Sequence, residues 1–201
     1  MSSTKGLLVA IEGIDGAGKT TLAKGIVSSL RKEGISVDYT MEPTRELIGN
    51  LIRSLPDEYR DGRIEALLYA ADRIHHYEKY IKPRLEAGII VVVDRYIHSS
   101  IAYQGALGAP IHWIKTLNSQ VKYPDLAFYI DVTVDLALSR ISNSGRKKTF
   151  YEKRELLEKV RNIYLSLVEQ GELILLDGTL GVNSLISKAV KTILEKIDKG
   201  Q

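Results

Sequence analysis

The chain has 201 residues, 44% hydrophobic and 26% charged, as expected of a soluble globular protein long enough for one large core. Its 28 basic and 25 acidic residues leave a net charge of +3 with no long run of either sign, which argues against a nucleic-acid surface. Without cysteine there is no disulfide or thiolate metal site; with neither a signal-like start nor the ~20 apolar residues of a membrane span, a cytoplasmic protein is expected.

Short β-branched runs alternate with longer amphipathic ones along the chain, the pattern of βαβ units around a parallel sheet. Leu7 to Ile11 is continuously apolar and predicts a strand buried on both faces. Thr20 to Arg31 predicts a helix, and Ser36 to Met41 a second strand ended by Glu42-Pro43. Glu65 to Glu86 carries a long helical pattern, stopped by Gly88 and kinked by Pro83 in its last turn. Ile89 to Val93 is the clearest buried strand, followed by helices over Ile97–Ala106 and Ile111–Val121. A fourth strand (Leu126–Asp131), a helix (Val134–Ile141) and a polar, basic segment to Thr149 come next. A helix over Glu152–Glu169, a strand over Leu173–Leu176 and a helix over Asn183–Ile197 close the chain. Together they predict one α/β domain, a three-layer fold with five parallel strands and a short basic lid near residues 140–152. Ligands of such folds bind at the carboxyl ends of the strands.

Directly after the first strand stands Gly13-Ile14-Asp15-Gly16-Ala17-Gly18-Lys19-Thr20, a full match to G-x-x-x-x-G-K-[ST]. Such a P-loop turns backbone N–H groups around a β-phosphate. Its helix start adds partial positive charge, its lysine bridges the outer phosphates, and its Ser/Thr hydroxyl ligates Mg²⁺. A nucleoside triphosphate site with bound Mg²⁺ is therefore expected over Gly13 to Thr21. No N-K-x-D motif follows, so guanine recognition is not expected.

Three segments in order resemble the thymidylate kinase family over nearly the whole chain. They are Glu12-Gly-Ile-Asp-Gly-Ala-Gly-Lys-Thr-Thr21, Leu67-Leu-Tyr-Ala-Ala-Asp-Arg73 and Asp94-Arg-Tyr-Ile-His-Ser-Ser-Ile-Ala-Tyr-Gln-Gly105. The resemblance implies a P-loop kinase that moves the γ-phosphoryl group of ATP to dTMP, and a homodimer. Tyr69 and Arg73, at i and i+4, share one helix face; the family places the ring on thymine and the guanidinium at the base edge. Asp94 is expected to hold Mg²⁺ through water as the partner of Thr20, and Arg95 to clamp the acceptor phosphate. Asp15 matches the carboxylate that bonds the sugar 3′-hydroxyl. Ser99 falls near the acceptor phosphate or Mg²⁺, Ser100 near the base, and Tyr103 against the sugar, where its ring would exclude a 2′-hydroxyl. Met41 occupies the place of an arginine common before Glu-Pro, so Arg45 becomes the candidate phosphate ligand of that loop.

Some family members carry an arginine in the P-loop where this chain has Gly16. The compensating charge is expected from the lid, Arg140 to Lys148, with Arg146 as the catalytic cation and Arg140 against adenine. A Gly16→Arg change made together with Arg146→Ala is expected to restore part of the rate by supplying that charge from below. A further lid arginine of the family is absent at Phe150. Two other readings of the P-loop stay open. In a deoxynucleoside kinase Glu42 would act as base on a hydroxyl, although the Tyr-Ala-Ala-Asp-Arg segment argues against it. A slow nucleotide-hydrolysing switch is the other. The four histidines, His75, His76, His98 and His112, carry no metal-site pattern.

Overall fold

Five parallel strands run through the protein in the order β2-β3-β1-β4-β5. They are β1 (Leu8–Glu12), β2 (Val37–Met41), β3 (Ile90–Asp94), β4 (Leu126–Asp131) and β5 (Ile174–Asp177). The computed structural model describes residues 6–145 and 149–199. Continuous apolar sequence in β1 and β3 reflects their place in the sheet: both are buried along their whole length between other strands. Edge strand β2 alternates more and is only partly covered.

The helices are α1 (Lys19–Lys32), α2 (Leu47–Ser54), α3 (Gly62–His76), α4 (Lys82–Glu86), α5 (Ile97–Ala106), α6 (Ile111–Leu117), α7 (Val134–Asn143), α8 (Arg154–Glu169) and α9 (Val182–Asp198). Helix α1 lies along β1, β2 and β3 and packs against α9, while α5 packs between α3 and α8. The predicted α/β arrangement of five parallel strands flanked by helices is what the chain adopts.

Local differences have local causes. The single helix expected over Glu65–Glu86 is α3, a π-helical turn over Tyr77–Ile81, and α4. Pro83 has no N–H for the i→i−4 ladder and its ring crowds the preceding carbonyls, so the register slips one turn before it. Helix α6 stops at Leu117 rather than Val121 because the Asn118 side chain turns back, donating to Ile114 O at 2.8 Å. Helix α8 starts at Arg154 because Thr149 and Glu152 close a capping box around one 3₁₀ turn. Helix α2 was not expected at all.

Because β1 and β3 are neighbours with Ile11 opposite Asp94, the segments leaving both strands emerge side by side. The P-loop and Asp94-Arg95 are thus brought together by strand register alone.

Candidate active site

The P-loop folds tightly from β1 into α1. Gly18 sits at the helix N-cap with φ 101°, a conformation that disfavours any side chain. Ile14 and Ala17 are buried and anchor the loop, with Ala17 N donating to Ile14 O at 3.2 Å. Lys19 is 7% exposed and donates through Nζ to Ile14 O at 2.9 Å. Burial, and then the nearby Arg95 guanidinium, lower its pKa to about 8. Two cations held this close in a desolvated crevice favour an anion between them. Thr20 and Thr21 are exposed at the start of α1.

Thr20 Oγ1 donates to Asp94 Oδ2 at 2.5 Å. A hydroxyl and a carboxylate are hard oxygen donors suited to Mg²⁺, which is commonly held by one or two protein groups plus water and substrate phosphates. Among the described residues no cluster of three or more His, Asp or Glu forms an all-protein metal cage. The donor set therefore fits Mg²⁺ bound with a nucleotide.

Arg95 has φ 68°, the only positive value outside glycine among the described residues. Such a backbone costs about 1–3 kcal/mol and persists where surrounding contacts impose it. Here it turns the side chain back toward the P-loop. Nη1 donates to Gly13 O at 3.3 Å and Ser99 Oγ at 3.2 Å; Nη2 donates to Asp15 Oδ1 at 2.7 Å and Tyr103 Oη at 3.2 Å. Tyr103 Oη also accepts from Asp15 N at 3.0 Å. Burial holds the Tyr103 phenol well above its ordinary pKa, so it stays a neutral hydroxyl.

Beside this cluster opens a cavity of about 440 Å³. Tyr69, Arg95, Ser99, Tyr103, Gln104 and Arg53 contribute to its wall. Tyr151, in the 3₁₀ turn before α8, packs edge-on against Tyr103 with ring centroids 5.6 Å apart. It donates to Glu65 Oε1 at 2.7 Å and accepts from Arg60 Nη1 at 2.8 Å. The cavity thus has aromatic sides, a cation at one end and one buried amide. Gln104 is 1% exposed; its Nε2 donates to Glu65 Oε2 at 3.2 Å, while Oε1 has no protein partner among the described residues.

Several expectations are redrawn by this geometry. Arg45 does not line the cavity; it faces a neighbouring hollow with Lys24, Tyr39 and Lys79. Arg53, one helical turn into α2 from Gly49, lines the cavity in its place, its guanidinium tied to the Pro43 and Thr44 carbonyls. Arg73 shares a face with Tyr69 but is 1% exposed and is not among the residues that line the cavity. It donates to Glu42 Oε2 at 2.7 Å, Asn118 Oδ1 at 2.6 Å, Ser100 Oγ at 3.1 Å and Tyr96 O at 3.1 Å. Ser100 is accordingly a buried partner of Arg73, and Ser99 donates its hydroxyl to Glu12 Oε2 at 2.6 Å. Glu42 is held by both Arg73 and His76, which leaves it unsuited to act as a base. His76 and His98 are buried structural residues.

Arg140 lies in α7 and reaches Ala17 O at 3.3 Å and Gly178 O at 3.0 Å, bridging the P-loop to the loop after β5. Arg146 lies outside the described residues. The expectation that an arginine at Gly16 could replace it does not hold. Gly16 has φ 83°, and an added Cβ would meet Ala137 O at 2.4 Å, a backbone atom of α7 that has no room to move aside. In this chain the P-loop packs directly on α7 at that point.

Sequence reasoning singled out neither Arg53 nor Gln104, which line the cavity. Gln104 lies within a motif already singled out, one residue after Tyr103. Arg53 carried no signal without knowledge of α2. No helix among the described residues is long and apolar enough to cross a membrane.

Residues 11–189 match the family model described as Thymidylate kinase. A "Probable thymidylate kinase" of Staphylothermus marinus is 39% identical over 197 residues, covering 98% of this chain and 99% of that protein. Proteins of the same description from Thermococcus gammatolerans and Pyrobaculum aerophilum are 44% and 46% identical, over 82% and 79% of this chain and 84% and 81% of theirs.

Proposed function

The chain belongs to the thymidylate kinase family and is an ATP-dependent kinase that makes dTDP from dTMP; we propose that the crevice between β1 and β3 carries out the transfer as follows. ATP lies along Gly13 to Thr21, its outer phosphates against Lys19, with Arg140 beside the adenine. Thr20 and, through water, Asp94 would hold Mg²⁺, which when bound would supply positive charge to the phosphates. The dTMP enters the cavity, its base against Tyr69. Gln104 Oε1 accepts the pyrimidine N3–H, a match for a buried acceptor otherwise left unpaired. Arg73 holds the wall behind the base, and the one further Nη2 N–H it has beyond its four bonds is the donor it has for a base edge.

Asp15 and Tyr103 face the sugar, and Arg95 clamps the acceptor phosphate with Arg53 at the opposite lip. That phosphate is already a nucleophile when ionised, so no general base is required. Catalysis then consists of alignment and of cations placed on the migrating charge. Arg146 remains the lid cation proposed from sequence. The exposed apolar side chains Leu47, Leu51, Ile64 and Leu67, on α2 and α3, support a homodimer through that face. A cytoplasmic location is part of the same reading.

The observation that carries this site assignment is the cavity itself. It presents one aromatic face, one unpaired amide acceptor and the Arg95 guanidinium immediately beside the P-loop. The test is ADP formation from ATP against a panel of nucleoside monophosphates and nucleosides. dTMP should be best and dUMP weaker by roughly the worth of one buried methyl group, about 0.8 kcal/mol. Thymidine, with no phosphate for Arg95, should be inert. Faster phosphorylation of thymidine would move acceptor chemistry to a hydroxyl and overturn the site assignment.

Tyr103→Ala should lower the ratio of efficiencies for dTMP over its ribo-analogue, because the ring occupies the space a 2′-hydroxyl needs. The substitution also removes a hydroxyl bound to Asp15 and Arg95, so both activities should fall. The ratio is the discriminating quantity; if it stays constant, discrimination lies elsewhere.

A further inference from the structure

Glu12 ends β1 and is 0% exposed. A carboxylate so placed needs donors, and it has three. Oε1 accepts from Tyr96 N at 2.9 Å; Oε2 accepts from Ser99 Oγ at 2.6 Å and from Tyr164 Oη at 3.0 Å. Two of these groups belong to residues that fix Arg95. The Tyr96 N–H is the peptide directly after the left-handed Arg95, so the bond to Glu12 holds the chain in that turn. The strand ladder holds the other side, Arg95 N donating to Ile11 O at 3.0 Å. Ser99, having given its proton to Glu12, presents a lone pair to Arg95 Nη1 at 3.2 Å.

We propose that Glu12 is a positioning residue of this kinase: its buried carboxylate sets both the backbone turn and the side-chain direction of Arg95, and so aims the acceptor-phosphate clamp. The inference rests on the reading of Arg95 given above. Tyr164 extends the control to α8, the helix that follows the lid segment. Its hydroxyl lies 2.9 Å from Ser99 Oγ as well as on Glu12, and its ring stacks on Tyr129 at 4.7 Å. Movement of α8 relative to the sheet is therefore felt at Ser99 and, through it, at Arg95. A carboxylate is needed here because only an acceptor-only group makes all three donors point inward and leaves Ser99 oriented as an acceptor. An amide in its place offers N–H groups to two hydroxyls and loses that polarity.

The test is a double-mutant cycle of Glu12→Gln with Arg95→Ala, read in steady-state kinetics and in the Kd values of ATP and dTMP. Glu12→Gln alone should lower kcat/KM for dTMP by about tenfold or more, since misplacement near 1 Å at a reacting group costs up to about 10²-fold. The Kd of ATP should stay within about twofold, and in the Arg95→Ala background Glu12→Gln should cause little further loss. Full activity in Glu12→Gln, or an undiminished loss on top of Arg95→Ala, would overturn the positioning role while leaving the clamp intact. Wild-type activity in Arg95→Ala would overturn the clamp and the inference together. If circular dichroism shows Glu12→Gln unfolded, Tyr164→Phe and Ser99→Ala replace it in the same cycle, with the same outcomes deciding.

Discussion

Replacing either Lys19 or Arg95 with alanine should lower kcat by about 10²–10³ while leaving a folded protein, because in the proposed site each removes a preorganised cation from the migrating phosphoryl group. The two losses should differ in kind. Lys19, buried at the start of α1 with its ammonium on Ile14 O, is on the donor side of the proposed site. Its depressed pKa shows that the folded crevice resists the isolated charge, which bound phosphates would relieve. Lys19→Ala should therefore weaken ATP as well as slow transfer. Arg95, between Asp15, Ser99 and Tyr103, is on the acceptor side of the proposed site. Its loss should appear in kcat/KM for dTMP with little change in the affinity for ATP. Neither side chain supports the apolar core; Lys19 stands in the first turn of α1, where alanine is a good helix former, and the turn at Arg95 keeps its backbone bond from Arg95 N to Ile11 O, so circular dichroism should be unchanged. Unaltered turnover in either variant would show that the reacting phosphates lie elsewhere.

The sheet was legible because parallel strands buried on both faces read as continuous apolar runs; Ile89 to Val93 and Leu126 to Asp131 could hardly be missed. The P-loop was legible because phosphate binding by backbone N–H groups demands glycines at fixed spacing. Helix α2 was illegible for the converse reason. It is eight residues long, contains Gly49, and exposes Leu47 and Leu51 instead of burying an apolar stripe. Gly49 is there for a contact no sequence pattern reveals: a Cβ would lie 2.0 Å from Thr44 O. Losing α2 meant losing Arg53. The roles of Arg73 and Glu12 were hidden for a different reason: charged residues in a sequence imply solvent or ligand. Only packing shows that these two spend their charge on other side chains.

Arg73→Ala should destabilise the protein by about 3–5 kcal/mol, the cost of leaving a buried carboxylate without its partner. At this chain length that corresponds to a fall in Tm of roughly 6–20 °C. The guanidinium is 1% exposed and gathers four segments: Glu42 at the end of β2, Tyr96 after β3, Ser100 in α5 and Asn118 at the end of α6. Removing it leaves Glu42, 3% exposed, with His76 Nδ1 at 3.0 Å as its remaining side-chain donor among the described residues. It also frees Asn118, whose side chain ends α6. Arg73→Lys should recover part of the charge but not the fork, since one ammonium cannot reach the four acceptors in their present directions. The Tm of Arg73→Lys should therefore fall between those of the parent and of Arg73→Ala. A base ligand with no structural duty would behave otherwise, raising the KM for dTMP while Tm stayed level. An unshifted Tm in Arg73→Ala would return the residue to the base edge as a free donor. A large fall would establish that the helix face carrying Tyr69 is fixed in place by the residue one turn beyond it.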